Sequence, residues 1–178
     1  MTEHTPLVEI NDLAIKFGTH TAVNNVTMDI GRGRIMGLVG ESGSGKSTIA
    51  NAIIGLLPHA AQISHGSLHF DGRDLLSFTA QDWGKIRGKD VAYVSQDPMS
   101  ALNPTLQIGE QMLDIQHLSE QSNTEKLANA LAALEQVRMP QAQARLSMYP
   151  HELSGGQKQR GCIAMAIMAR PKLLITDE

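Results

Sequence analysis

Gly40-Glu41-Ser42-Gly43-Ser44-Gly45-Lys46-Ser47 fits the phosphate-loop pattern G-x-x-x-x-G-K-[ST], and the text on either side gives the pattern its meaning. Immediately before it, Ile35-Met36-Gly37-Leu38-Val39 is apolar and reads as a short strand. Immediately after it, residues 47–57 carry Ile49, Ile53, Ile54 and Leu57 at helical spacing, and Pro58 closes the helix. Strand, glycine loop and helix in that order form an anion cradle, because glycines let successive N–H groups turn inward while the helix adds its positive end. Gly40, Gly43 and Gly45 supply that freedom, and Glu41, Ser42, Ser44 and Thr48 complete the lining. Lys46 brings a cation to the outer phosphates of a nucleotide, and the Ser47 hydroxyl is placed to bind the Mg²⁺ that bridges them. A dinucleotide fold is excluded, since Gly43-Ser44-Gly45 would need a small residue at Thr48 and an acidic residue closing a later strand.

Upstream, residues 7–12, 13–17 and 22–30 read as short strands separated by Asn11-Asp12 and Gly18, with Gly31-Arg32-Gly33 ending the third. Downstream, Gly66-Ser67-Leu68-His69-Phe70-Asp71-Gly72 reads as a strand running into a turn, and Val91-Ala92-Tyr93-Val94 as another strand. The character changes at Gln96. Residues 106–148 are predicted helical, with Leu127, Leu131, Leu134 and Val137 on one apolar stripe and no glycine between Gly109 and Gly155. The loop of Pro98 and Pro104 is expected to be ordered and nonhelical. Ser154 can cap a further helix that ends before Pro171, and Leu173-Leu174-Ile175-Thr176 reads as a buried-type strand. The expectation is therefore an α/β core with a β-rich front, 1–95, a helical insert, 96–153, and a closing helix and strand, 154–178, without internal repeats.

With 178 residues and 42% hydrophobic content, the chain can bury the core of one ordinary domain. No apolar run approaches the roughly 20 residues that span a bilayer, and Met1-Thr2-Glu3-His4 does not begin a signal peptide. A formal charge of -3 without a Lys/Arg block excludes an evident nucleic-acid surface. The single Cys162 has no partner for a disulfide or a zinc site and reads as a small core residue in a reducing compartment.

A second loop, Leu153-Ser154-Gly155-Gly156-Gln157, again opens a helix with a hydroxyl and bare backbone amides, which suit an anion. One nucleotide does not need two such loops. The simplest resolution is that the second caps the γ-phosphate of a nucleotide held by another subunit.

On these motifs the chain resembles an ABC transporter ATP-binding subunit over its whole length, with Walker A at 40–47, the signature motif at 153–157 and Walker B at 173–177. The resemblance implies a P-loop NTPase (RecA-like) core with an N-terminal antiparallel β subdomain and an inserted α-helical subdomain. It implies ATP and Mg²⁺ as ligands, with Asp177 holding Mg²⁺ and Glu178 orienting or deprotonating the attacking water. Gln96 matches the family's Q-loop glutamine, which senses metal and water, and Phe17 lies where an aromatic residue stacks on adenine. Gln96-Asp97-Pro98-Met99-Ser100-Ala101-Leu102-Asn103-Pro104 resembles the subfamily serving dipeptide, oligopeptide and nickel importers, in which this region faces the permease. The implied partners are integral-membrane permease subunits, a second ATPase subunit completing an ATP sandwich and, indirectly, a substrate-binding protein, at the cytoplasmic face of the inner membrane. The family's D-loop and switch histidine follow Walker B and are not in this sequence. The expectation is thus a fragment or truncated product lacking the C-terminal strands of the core, with an open edge beside the Walker A strand. Two alternatives accompany ATP-driven transport: a nucleotide-binding remnant without hydrolysis, and a soluble ABC ATPase without a permease.

His59, His65 and His69 cluster around a turn and invite a metal reading, but without an evident carboxylate or cysteine partner they read as exposed histidines. His151 beside Glu152 reads as structural, and the nine methionines, Met165 and Met168 among them, as core filler.

Overall fold

In the computed structural model the described residues are 6–117 and 119–177, and they form two compact units, one ending at Arg87 and one beginning at Gly88. The first is built on an antiparallel sheet in the order β2-β1-β3-β4, from β1 Val8–Phe17, β2 His20–Ile30, β3 Ala61–Phe70 and β4 Arg73–Asp74. Ile10, Leu13, Ile15, Leu68 and Phe70 are fully buried and supply its core.

The sequence predicts a break at Asn11-Asp12, whereas β1 runs through that point as an irregularity in both of its ladders. Asp12 and Asn25 take left-handed φ values of 50° and 51°, which short polar side chains tolerate, and Gly66 in β3 has φ +93°. The backbones approach so closely there that a Cβ on Gly66 would lie 2.4 Å from the Asp12 carbonyl oxygen. Side chains then pin the distortion: the Asn25 amide donates to Asp12 Oδ1 at 2.6 Å, and the Asp12 N–H donates to Thr27 Oγ1 at 2.9 Å.

Helix α1 spans Lys46–Ile53, shorter than predicted, because the chain leaves the helix through Gly55 at φ +67°. Helix α2, Ala80–Ile86, opens on a Thr79–Asp82 capping box and sets the Trp83 ring against Gly55. The Arg87 guanidinium donates to Ile54 O at 2.8 Å and Gly55 O at 2.5 Å, satisfying carbonyls that the helix end leaves open. The predicted strand at 35–39 carries no ladder among the described residues; Ile35 is 103% and Val39 92% exposed. Apolar text alone does not make a strand, since its N–H and C=O groups must be met by a neighbour.

The second unit contains a parallel pair, β5 Val91–Val94 and β6 Leu173–Thr176, and helices α3 Pro98–Ala101, α4 Ile108–Ile115, α5 Asn123–Gln136, α6 Ala142–Arg145 and α7 Gly155–Met168. Its core joins Val94, Ile108, Met112, Ala130, Leu134 and Ala164. Three expectations are corrected here. Pro98 does not sit in a nonhelical loop but starts the short α3, where its missing N–H costs nothing. On α5, Leu134 is buried beside Ala130 and Ala133, and Leu131 and Val137 pack against the same core as the stripe predicts, but Leu127 is exposed. Strand β6 buries Leu173 but leaves Leu174 exposed, since its one ladder among the described residues is with β5.

Candidate functional site

In the first unit, Gly45 is the N-cap of α1 at φ 93° and rests on β2, where an added Cβ would lie 2.5 Å from Ala22 O. Phe17, half-buried, ends β1 opposite His20, so this end of β2 supports both the predicted ring and the predicted phosphate loop. Lys46 Nζ donates to Gly40 O and Glu41 O, each at 2.8 Å, folding its stem back over the loop's opening residues. Residues 40–44 are exposed, as is Ser47, while Thr48 is half-buried on the first turn. Gly43 has φ +82° with nothing within 4 Å of where its Cβ would stand, so the middle of the loop is open on that side.

The start of α1 differs from the other helices of seven residues or more. Helices α2, α5 and α7 begin with a reciprocal cap, Thr79–Asp82, Ser122–Glu125 and Ser154–Gln157, and at α4 Glu110 accepts from the Gln107 N–H at 2.8 Å. Helix α1 has no side-chain cap and no acidic residue in its first turn. It forgoes roughly 1 kcal/mol of capping and leaves its positive end, with its first-turn N–H groups, to an external anion. That deficit, the open Gly43 and an ammonium at the loop are the features a polyphosphate requires.

In the second unit, Ser154 is exposed and caps α7: its hydroxyl accepts from the Gln157 N–H at 3.4 Å, and its own N–H donates to Gln157 Oε1 at 3.0 Å. Because the Ser154 oxygen accepts from inside the helix, its proton can be given to an acceptor outside. Gly155 and Gly156 carry no neighbour within 4 Å of a would-be Cβ, so their backbone can be approached closely. The Gln157 side chain is turned back onto the cap.

The β5–β6 register pairs Val94 with Thr176, and the Asp177 N–H extends it by donating to Val94 O at 3.0 Å. This places Asp177 at the carboxyl end of a parallel pair, where α/β proteins gather ligands. Tyr93 Oη donates to Asp177 Oδ2 at 3.2 Å, and burial, then the Asp177 charge, push the Tyr93 pKa up, keeping the phenol a donor. This contact was not foreseen in the sequence; the signal was a tyrosine third in one apolar tetrad and an aspartate just past the other. Gln96 is exposed two residues after β5. Glu178 lies outside the described residues.

Among the described residues no group of three or more His, Cys, Asp or Glu could hold a metal. His65 does have a carboxylate, against expectation: its Nε2 lies 2.6 Å from Asp12 Oδ2, and Asn25 and His65 together hold the Asp12 carboxyl below its usual range. His69 is half-buried rather than exposed, because it stands in β3 between β1 and β4. His151 stacks on Tyr149 at 5.6 Å and Glu152 accepts from the Tyr149 N–H at 2.8 Å, a structural arrangement before the second loop. Cys162 is buried, with its thiol pushed up by burial, and Met112 and Met139 fill core positions.

A family model described as ABC transporter matches residues 23–178. The oligopeptide transport ATP-binding protein OppD of Salmonella typhimurium is 43% identical over 177 residues, covering 97% of this chain and 52% of that protein. A probable D,D-dipeptide transport ATP-binding protein, DdpD of Escherichia coli, is 44% identical over 179 residues, covering 97% and 55%. The chain thus spans about half the length of these curated relatives. Among solved structures, the dimeric ATP-binding cassette MJ0796 in a post-hydrolysis state with ADP and Pi superposes with TM-score 0.81 at 27% identity, covering 95% of this chain and 72% of that one.

Proposed function

Because this chain belongs to the ABC transporter family, we propose that it is the ATP-binding part of a peptide importer, taking up Mg-ATP at residues 40–48 and passing the energy of binding and hydrolysis to membrane permease subunits. The observation that carries the proposal is the uncapped start of α1 beside Lys46. Lys46 leaves the Gly40 and Glu41 carbonyls for the outer phosphates, backbone N–H groups of residues 43–48 surround them, and Phe17 stacks on the base. Ser47 in the first unit, and Gln96 and Asp177 in the second, each offer the kind of oxygen that a magnesium ion, a hard cation with few protein ligands, would take. A magnesium ion held there would supply positive charge against the negative charge developing on the phosphates. Glu178 holds the attacking water and accepts its proton. Ser154, Gly155 and Gly156 serve the nucleotide of a second ATPase subunit, the Ser154 proton pointing outward because Gln157 supplies the inward donor. The dimeric cassette named above supports a paired arrangement, and the OppD and DdpD relatives favour peptides over nickel as cargo. No helix among the described residues is long and apolar enough to cross a membrane, in keeping with a peripheral subunit held at the inner membrane by its permease.

The test is ATP binding and phosphate release by the chain and by Lys46→Ala and Glu178→Gln. Lys46→Ala is expected to weaken ATP binding by tenfold or more, as loss of a charge-assisted contact of roughly 1.5–3 kcal/mol requires, while Glu178→Gln keeps binding and loses release. Equal ATP affinity in Lys46→Ala and the parent overturns the assignment of the loop.

A further inference from the structure

We infer that Tyr93 is a positioning residue for Asp177, holding the carboxylate at the end of β6 in the orientation in which it meets the metal; this rests on the assignment of Asp177 as a metal donor proposed above. The placement follows from the register. Tyr93 pairs with Ile175 across the parallel ladder, and Asp177 stands two residues further on. Side chains two apart on a strand share a face and are separated by about 6.6 Å along it, so a phenol lying along the strand direction ends at the carboxylate. The observed contact is Tyr93 Oη to Asp177 Oδ2 at 3.2 Å. The backbone of Asp177 is fixed by its N–H bond to Val94 O, and the phenol acts separately, on the carboxylate itself. Tyr93 is half-buried in an otherwise buried tetrad, Val91, Ala92 and Val94, so its ring is held by packing and its hydroxyl delivered to one place. A phenylalanine would pack as well, and the hydroxyl does its work at Asp177. Partners of this kind set ligand orientation, and losing one weakens metal binding by roughly 10–100-fold.

The experiment is a double-substitution cycle on the chain, with Mn²⁺ as the probe: its affinity for the ATP-loaded protein is read from the EPR signal of free Mn²⁺, with protein in excess over nucleotide. ATP affinity in EDTA is measured alongside. Tyr93→Phe is expected to lower Mn²⁺ affinity by about tenfold, with ATP affinity in EDTA unchanged. In an Asp177→Asn background the same change is expected to cost nothing further. Wild-type Mn²⁺ affinity in Tyr93→Phe, or an equal loss in both backgrounds, overturns the positioning role while leaving Asp177 as a donor. Unchanged Mn²⁺ affinity in Asp177→Asn itself overturns the metal assignment, and the positioning role with it.

Discussion

Gly43→Ala and Gly45→Ala separate two reasons for a glycine within one loop. Both positions have strongly positive φ, 82° and 93°. An alanine in the left-handed region costs about 1–2 kcal/mol, offset by about 0.4–1 kcal/mol because the unfolded chain loses freedom. At Gly43 nothing else is met within 4 Å, so the net loss should be about 1 kcal/mol. At Gly45 the new Cβ meets Ala22 O at 2.5 Å, about 0.9 Å short of an ordinary 3.4 Å contact, and Val23 Cγ2 at 3.2 Å. The obstacle is strand backbone, so α1 must lift from β2, straining the Ile49 N–H to Gly45 O bond of 3.0 Å and the packing of buried Ile49. Overpacking of that kind adds roughly 1–3 kcal/mol, for a total near 3 kcal/mol. Urea unfolding followed by the fluorescence of Trp83, the only tryptophan, reads this directly, because its ring lies on Gly55 just past the other end of α1. Equal losses for the two variants would refute the close approach as the cause of the difference.

Gly66→Ala should destabilise the β sheet by about 3 kcal/mol or more, since it combines φ +93° with backbone oxygens at 2.4 and 2.6 Å; the same fluorescence-detected unfolding measures it. Arg87→Ala, removing two bonds to the end of α1 and a guanidinium 4.7 Å over the Trp83 ring, should cost about 2 kcal/mol and shift Trp83 emission in the native state. The Asp82 carboxyl is lowered from 3.8 to about 2, first by the Thr79 hydroxyl and then by Lys85. A folded pKa below the unfolded one adds stability that is fully present above about pH 4 and lost as the pH falls towards about 2. Asp82→Asn should therefore flatten that part of the dependence of the urea midpoint on pH.

The legible parts of this protein are those whose physics is local. Lys46 to Ile53 is helical because apolar residues recur on one face after a glycine loop; Ser154 and Gln157 cap α7 because each reaches the other's backbone within one turn. Gly18 turns the first hairpin for a similarly local reason. What failed depended on a neighbour. Residues 35–39 are as apolar as a strand and carry none, Leu174 is exposed in a tetrad that looked buried, and Leu127 stands off the face its spacing assigned to it. Asn11-Asp12 read as a turn because the residues that absorb the distortion, Asn25, His65 and Gly66, are distant in the chain.

By itself, then, the sequence determined the chemistry on offer: a glycine loop with Lys46 and Ser47, a hydroxyl-capped second loop, and an aspartate at the end of an apolar tetrad. Composition and spacing suffice for that because phosphate and metal recognition use short, contiguous motifs. Only the tertiary structure decided that Gly45 is clamped by Ala22 and that Tyr93 reaches Asp177. Those facts belong to pairs of segments 23 to 84 positions apart, and register and close packing, which no single segment encodes, set the distances between them.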